Sequence, residues 1–220
     1  MSLEKLRLDV LPQKTKRAFL RCVELPLFKR RGWYLAGGTA LALQVGHRQS
    51  VDLDFFTSKK TFEERKIEEQ FADAGKWTTT SLSLGTLYGE FLGAKISFIS
   101  YPFFRAADPL IQVGSVLLLS PSDIAVMKIT AVSQRGRKRD FFDLYWLSLH
   151  ILPLEKSLER VKHQYAVDQN FNHILKSLVY FEDAEDDPEP DIFFKATWWE
   201  VKSFFTKEVS FIAEKMIGLT

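Results

Sequence analysis

The chain has 220 residues, 46% of them hydrophobic and 26% charged, which is an ordinary globular composition and excludes disordered and fibrous classes. A formal net charge of +2 is too small to imply a nucleic-acid partner by itself, and the lone Cys22 precludes an internal disulfide. No run approaches the roughly 20 apolar residues of a membrane span, and no secretory leader pattern opens the chain, so a soluble, cytoplasmic protein is expected.

Residues 4–30 carry apolar spacing suited to one or two helices, with Phe19, Cys22, Val23 and Leu27 on it, ending in Lys29-Arg30-Arg31 and Gly32. Trp33-Tyr34-Leu35-Ala36 predicts a short strand running into Gly37-Gly38. The Ala- and Leu-rich stretch from Thr39 to Val45 predicts a helix, and Val51 to Phe56 alternates as a second strand. Residues 61–74 predict another helix, with Thr61 and Glu64 placed for a capping box. Strands are expected near 78–84, 87–92 and 94–101, separated by Gly85 and Gly93, and again at Val116 to Leu119.

Beyond Pro121 the pattern turns helical, near 121–135, 140–150, 154–165, 171–179 and 197–216. The acidic, proline-containing Asp183 to Asp191 stretch is expected as a loop. The sum is an α+β fold: a mixed sheet with flanking helices over residues 1–119, then a helical region over 120–220.

The chemistry concentrates on the second predicted strand. Alternation sends Asp52 and Asp54 to one face and Val51, Leu53 and Phe55 to the other. Two carboxylates about 7 Å apart along a strand repel unless a cation or basic group lies between them. A hard divalent ion with oxygen ligands is the natural partner, since Mg²⁺ commonly takes one or two protein carboxylates plus substrate phosphates. An exposed edge strand with two solvated acids is the plainer reading of an isolated D-x-D. Its surroundings add weight. Gly37-Gly38-Thr39 lies between strand and helix, where glycines admit close approach and the first helical N–H groups face outward, a geometry that suits phosphate. Thr39 as an ordinary N-cap is the alternative there.

In the second half, Ser120-Pro121-Ser122-Asp123 marks a helix start. Lys128 and Arg135, seven residues apart, share nearly one face of that helix, and the next helix places Asp140 near its N-terminus with Asp143 one turn in. A solvated lysine and two dipole-favouring acids are the structural reading of the same residues. Arg135, Arg137, Lys138 and Arg139 form a dense basic stretch, suited either to an RNA backbone or to solvent. Trp198-Trp199 and Phe204-Phe205 are expected in the core.

Gly37-Gly38-Thr39-Ala40-Leu41-Ala42-Leu43, Gly46-His47-Arg48 and Ser50-Val51-Asp52-Leu53-Asp54-Phe55-Phe56 together resemble the AbiEii/AbiGii-type nucleotidyltransferase toxin family of the polymerase β-like superfamily. Lys128-x-x-Ala131-x-x-x-Arg135-Gly136 and Lys138-Arg139-Asp140-Phe141-Phe142-Asp143-Leu144 are similar to its later motifs. The resemblance covers about residues 33 to 150.

It implies a Mg²⁺- or Mn²⁺-dependent enzyme that moves a nucleotidyl group from an NTP to an acceptor, with RNA such as tRNA first and protein next. It also implies the toxin role in a bacterial toxin–antitoxin or phage-defence system, with a cognate antitoxin. Asp52, Asp54, Lys128 and Asp143 would be catalytic, with Asp52 and Asp54 as metal ligands. Gly37, Gly38, Thr39, Arg48, Arg135 and Asp140 would surround the nucleotide, and the helical region would complete the cleft. The superfamily's third carboxylate is sought on the 95–99 strand, where this chain has Ser97. Glu90 or Asp143 is the candidate substitute, and a nucleotide-binding module without turnover is the second reading.

Overall fold

The structure, a computed structural model, describes residues 3–216, apart from the side chains of residues 29–31, so the Lys29-Arg30-Arg31 run lies outside the described side chains. The chain divides into two compact units, Met1–Ser120 and Pro121–Thr220.

The first unit opens with two 3-10 turns and the amphipathic helix α1 (Gln13–Glu24), which turns Thr15, Ala18, Phe19, Cys22 and Val23 inward at helical spacing. Helix α2 (Pro26–Arg31) starts on a proline and ends at Gly32 in the left-handed region, the usual asymmetry of helix ends. Strand β1 (Trp33–Ala36), helix α3 (Gly37–Val45) and strand β2 (Leu53–Thr57) follow, then α4 (Glu64–Ala74) and strands β3 (Trp77–Ser83), β4 (Thr86–Phe91), β5 (Ala94–Ser100), β6 (Ile111–Val113) and β7 (Val116–Leu118). They form one seven-stranded mixed sheet in the order β3-β4-β5-β2-β1-β7-β6. Strand β2 runs antiparallel to β1 and parallel to β5.

Aromatic packing fixes which face of this sheet is core. Phe55 and Phe98, opposite each other on β2 and β5, stack with centroids 5.5 Å apart, and Phe28 lies 4.3 Å from Phe55. Phe71 of α4 closes on Phe91 and Phe98. With Leu53, Phe55, Ile96 and Phe98 committed to that core, alternation leaves Asp54 and Ser97 on the opposite face.

Three local expectations differ from the structure. Strand β2 begins only at Leu53, so Val51, expected to point inward, is 45% exposed. The Thr61–Glu64 capping box does not form: α4 starts at Glu64, whose Oε1 instead accepts the Gly85 backbone N–H at 2.7 Å. Strand β6, too short for an alternating pattern, was not anticipated; it pairs with β7 across Gly114.

The second unit contains α5 (Pro121–Arg135), α6 (Lys138–His150), α7 (Leu154–Gln164), α8 (Phe171–Ser177), the short α9 (Glu182–Glu185) and α10 (Trp198–Met216). Phe141, Phe142, Phe181, Trp198 and Phe205 form its aromatic cluster, while Trp199 points outward at 71% exposure. The acidic 183–191 stretch, expected as a loop throughout, starts within α9 and is ordered by charge. Asp187 accepts from Arg137 Nη1 at 2.8 Å and from the Lys138 backbone N–H at 3.0 Å, and Lys138 Nζ donates to the Glu185 carbonyl at 3.1 Å. Among the described residues no helix is long and apolar enough to cross a membrane.

Candidate active site

The end of β1 and the start of α3 form the frame of the site. Ala36, the last residue of β1, pairs in register with Asp54, so Gly37 emerges beside that carboxylate. Gly37 has φ +70, a conformation glycine adopts without the Cβ penalty other residues meet. A Cβ placed on it would lie 3.4 Å from Asp54 Oδ2. The N-cap of α3 is Ala36, which offers no side-chain acceptor, so the sequence's alternative of a Thr39 cap is not the arrangement found.

Gly38 has a different task. A Cβ there would sit 2.1 Å from Arg48 Nη2 and 3.4 Å from Ser50 Oγ, so the missing side chain is what admits the Arg48 guanidinium. Arg48 is only 5% exposed, and its Nη1 donates to the Gln49 carbonyl at 2.8 Å. Thr39 is buried too. Its hydroxyl lies 2.7 Å from Ser50 Oγ and also donates to the Asp52 carbonyl, tying the start of α3 to the D-x-D segment.

Asp52 and Asp54 are both half-buried. Asp54 pairs directly with Ser97 across the parallel β2–β5 ladder, and Ser97 Oγ donates to Asp54 Oδ1. The position at which an acid was sought is therefore adjacent to the aspartate and carries a hydroxyl. A carboxylate has about four lone-pair sites, so accepting the Ser97 hydroxyl does not by itself keep Asp54 from binding a cation. Among the described residues no group of three or more His, Cys, Asp or Glu side chains is arranged to hold a metal. Two carboxylates are nevertheless a fitting protein contribution for Mg²⁺, which draws its remaining ligands from water and phosphate.

A cavity of about 470 Å³ opens against Asp52, Asp54 and Ser97 and extends over β3, β4 and β5. Glu90 lines it, cross-strand from Lys95, as do Tyr88, Thr80 and Ser81. Tyr88, Lys95 and Ser81 were not singled out in the sequence. Their signal was the same period-two alternation that marks Asp52 and Asp54, but only the strand pairing shows that it continues from Ser97.

Within the helical unit, Lys128, Asp140, Asp143 and Arg135 come together. Lys128 Nζ lies 2.5 Å from Asp140 Oδ1 and 2.5 Å from Asp143 Oδ2, and Arg135 Nε donates to Asp140 Oδ2 at 2.8 Å. Both aspartates are fully buried and Lys128 is 4% exposed. Burial alone would raise the Asp140 carboxyl; Lys128 and Arg135 together outweigh it and hold the group below the usual carboxylate range. The basic 135–139 stretch is largely paired inside this unit, through Asp140, Asp187 and Glu189, and is not a bare cationic surface.

A family model described as a nucleotidyl transferase AbiEii toxin of a type IV toxin–antitoxin system matches residues 19–78 and 96–207. An uncharacterized protein of Aquifex aeolicus (strain VF5) is 39% identical over 181 residues, 80% of this chain and 86% of its own length. A crystal structure of a protein from H. pylori, assigned provisionally as a nucleotidyltransferase, aligns with a TM-score of 0.53 over 95% of this chain and 99% of its own. Its identity is 15%, so that likeness is one of fold.

Proposed function

The chain belongs to the AbiEii nucleotidyltransferase toxin family, and from that premise we propose that it transfers a nucleotidyl group from an NTP to an RNA acceptor with the help of a divalent cation. The observation that carries this reading is the contact between the start of α3 and the D-x-D: a Cβ on Gly37 would meet Asp54 Oδ2 and Thr39 donates to the Asp52 carbonyl, so a phosphate at the helix N-terminus would be close to that segment. Asp52 and Asp54 would hold Mg²⁺ or Mn²⁺. When bound, such an ion neutralises the triphosphate and helps align the displacement.

The chain's own residues supply the remaining terms. The backbone at Gly37 and Gly38 offers N–H donors, and the buried Arg48 beside Gly38 adds fixed positive charge for the phosphates. Ser97 fixes the Asp54 carboxylate through its hydrogen bond, and Thr39 anchors the segment that carries Asp52. By family resemblance Lys128, Arg135, Asp140 and Asp143 belong to the catalytic machinery, and within their own unit the Lys128 ammonium is held by the two aspartates. The family's toxin–antitoxin setting supports a cognate antitoxin and a cytoplasmic site of action.

Ser97 favours one second reading, a module that binds nucleotide without turnover, because a hydroxyl supplies no third charge for the metal. Calorimetry with Mg²⁺–NTP, paired with a turnover assay, separates the two. Binding with release of pyrophosphate supports the transferase, and binding alone supports the module.

A further inference from the structure

The core face of the sheet is not closed at one of its ends. Leu35, Phe55, Phe98 and Leu87 form one cross-strand row over β1, β2, β5 and β4, and each is fully buried. The next member of that row is Leu82 on β3, which pairs with Leu87 and is 42% exposed. Strand β3 is the last strand at that end of the sheet, so among the described residues the row stops there. Leu84, in the turn that follows, is 82% exposed.

The two ends of the sheet are built differently. Strand β6, at the other end, has three residues, and so short an edge discourages pairing with another chain. Strand β3 has seven, with neither a proline nor a charged residue among them. Of the usual devices against edge pairing its own residues carry one, the bulge between Thr79 and Ser81. Beyond the bulge, Ser81, Leu82 and Ser83 pair in unbroken register with β4.

We propose that β3 pairs antiparallel with β3 of a second copy of this chain, about a two-fold axis at Leu82. That register sets Leu82 against the partner's Leu82 and Ser81 against the partner's Ser83, and it places the exposed Leu84 of each copy alongside the other strand. The apolar row then runs on into the second sheet, and the half-exposed Leu82 side chains cover each other. Charge favours a copy as the occupant. A charged edge doubled about a two-fold axis would set like charges opposite each other, which destabilises a strand pair, whereas residues 77–84 bring no charge to it. Because both copies use the same edge, the assembly closes at two. A strand pair of this length is small beside the roughly 1,200–2,000 Å² of a standard interface, so association is reversible and depends on concentration. Thr80 and Ser81 also line the cavity against Asp52 and Asp54, so the pairing brings the second copy beside the candidate site. From Thr79 onward the strand lies between the two segments that the family model matches, and the pairing is assigned to this chain and not to the family. It is independent of the transferase reading.

Sedimentation velocity and light scattering on the full chain, over a wide concentration range, test the pairing. The mass of the native protein should rise from that of one chain, 25.4 kDa, toward twice that value. Leu82→Lys and Leu82→Asp should each weaken association at least about tenfold, since each removes the apolar contact and doubles one charge at the axis. Mixed in equal amounts, the two variants should associate again, because the introduced charges then face each other as opposites. Recovery in the mixture also shows that both variants fold. A native chain that keeps the single-chain mass at every concentration overturns the proposal. So does a dimer that persists unchanged in both variants, which would put the interface elsewhere. Variants with native melting curves that stay apart on mixing overturn the two-fold register at Leu82.

Discussion

Asp54 and Ser97 face each other in register on the parallel strands β2 and β5, and the serine hydroxyl donates to Asp54 Oδ1. The pairing leaves the other carboxylate oxygen, Oδ2, toward Gly37 at the start of α3. One aspartate is thereby shared between a strand neighbour that orients it and a helix terminus suited to a phosphate.

Substitution at Ser97 should separate orientation from charge. Ser97→Ala removes the hydrogen bond and should lower kcat with little change in melting temperature, because an uncharged methyl group fits the same space. Ser97→Asp places a like charge against Asp54 and should lower the melting temperature in EDTA. Added Mg²⁺ should then raise it by more than in the native chain. Thermal melts with and without Mg²⁺ decide this, and an equal Mg²⁺ response in both proteins would count against a metal at Asp54.

Gly38→Ala tests the Arg48 arrangement. The added methyl would lie 2.1 Å from Arg48 Nη2, so the guanidinium must leave a site in which the residue is 5% exposed. A loss of roughly 1–3 kcal/mol is expected from the overpacking, together with weaker nucleotide binding. Urea denaturation and nucleotide calorimetry on the same sample check both effects.

Lys128→Ala should be severe. It leaves two fully buried aspartates with their shared ammonium gone, and breaking a buried pair costs roughly 3–5 kcal/mol. Lys128→Ala combined with Asp140→Asn and Asp143→Asn should recover part of that loss in a denaturation experiment, because no uncompensated carboxylate remains.

The acid limb of the stability profile should carry the mark of Asp140. Lys128 and Arg135 overcome the opposing effect of burial and hold its folded pKa below the ordinary value of about 3.9. Its contribution is therefore fully present above that ordinary value and is lost as pH falls through the lower folded pKa. Asp140→Asn should be less stable than the native chain at pH 7 and should lose less stability on acidification. Denaturation midpoints measured from neutral pH into the acid range test the sign.

Much of the fold and the aspartate pair was legible because both are written in short-range patterns. Strand alternation gave Leu53, Asp54 and Phe55 their faces, with Asp52 just before β2 on the same cavity wall, and the glycines between β1 and α3 marked the adjoining turn. What escaped depended on distant partners. Glu64 gave up its local cap for the Gly85 N–H, and the 183–191 loop is ordered by Arg137 and Lys138 about fifty residues earlier in the chain. The cavity wall escaped for the same reason: Tyr88 and Ser81 join the face of Asp54 only once β3, β4, β5 and β2 are set in register.

The central claim is that Asp52 and Asp54 serve nucleotidyl transfer, and incubation of the purified chain with α-labelled NTPs, Mg²⁺ and total RNA tests it most directly. The native protein should label an RNA band. Asp52→Ala and Asp54→Ala should each lower the rate at least about a hundredfold while retaining native melting. Absence of label with every NTP, or labelling that survives both substitutions at the native rate, would contradict it.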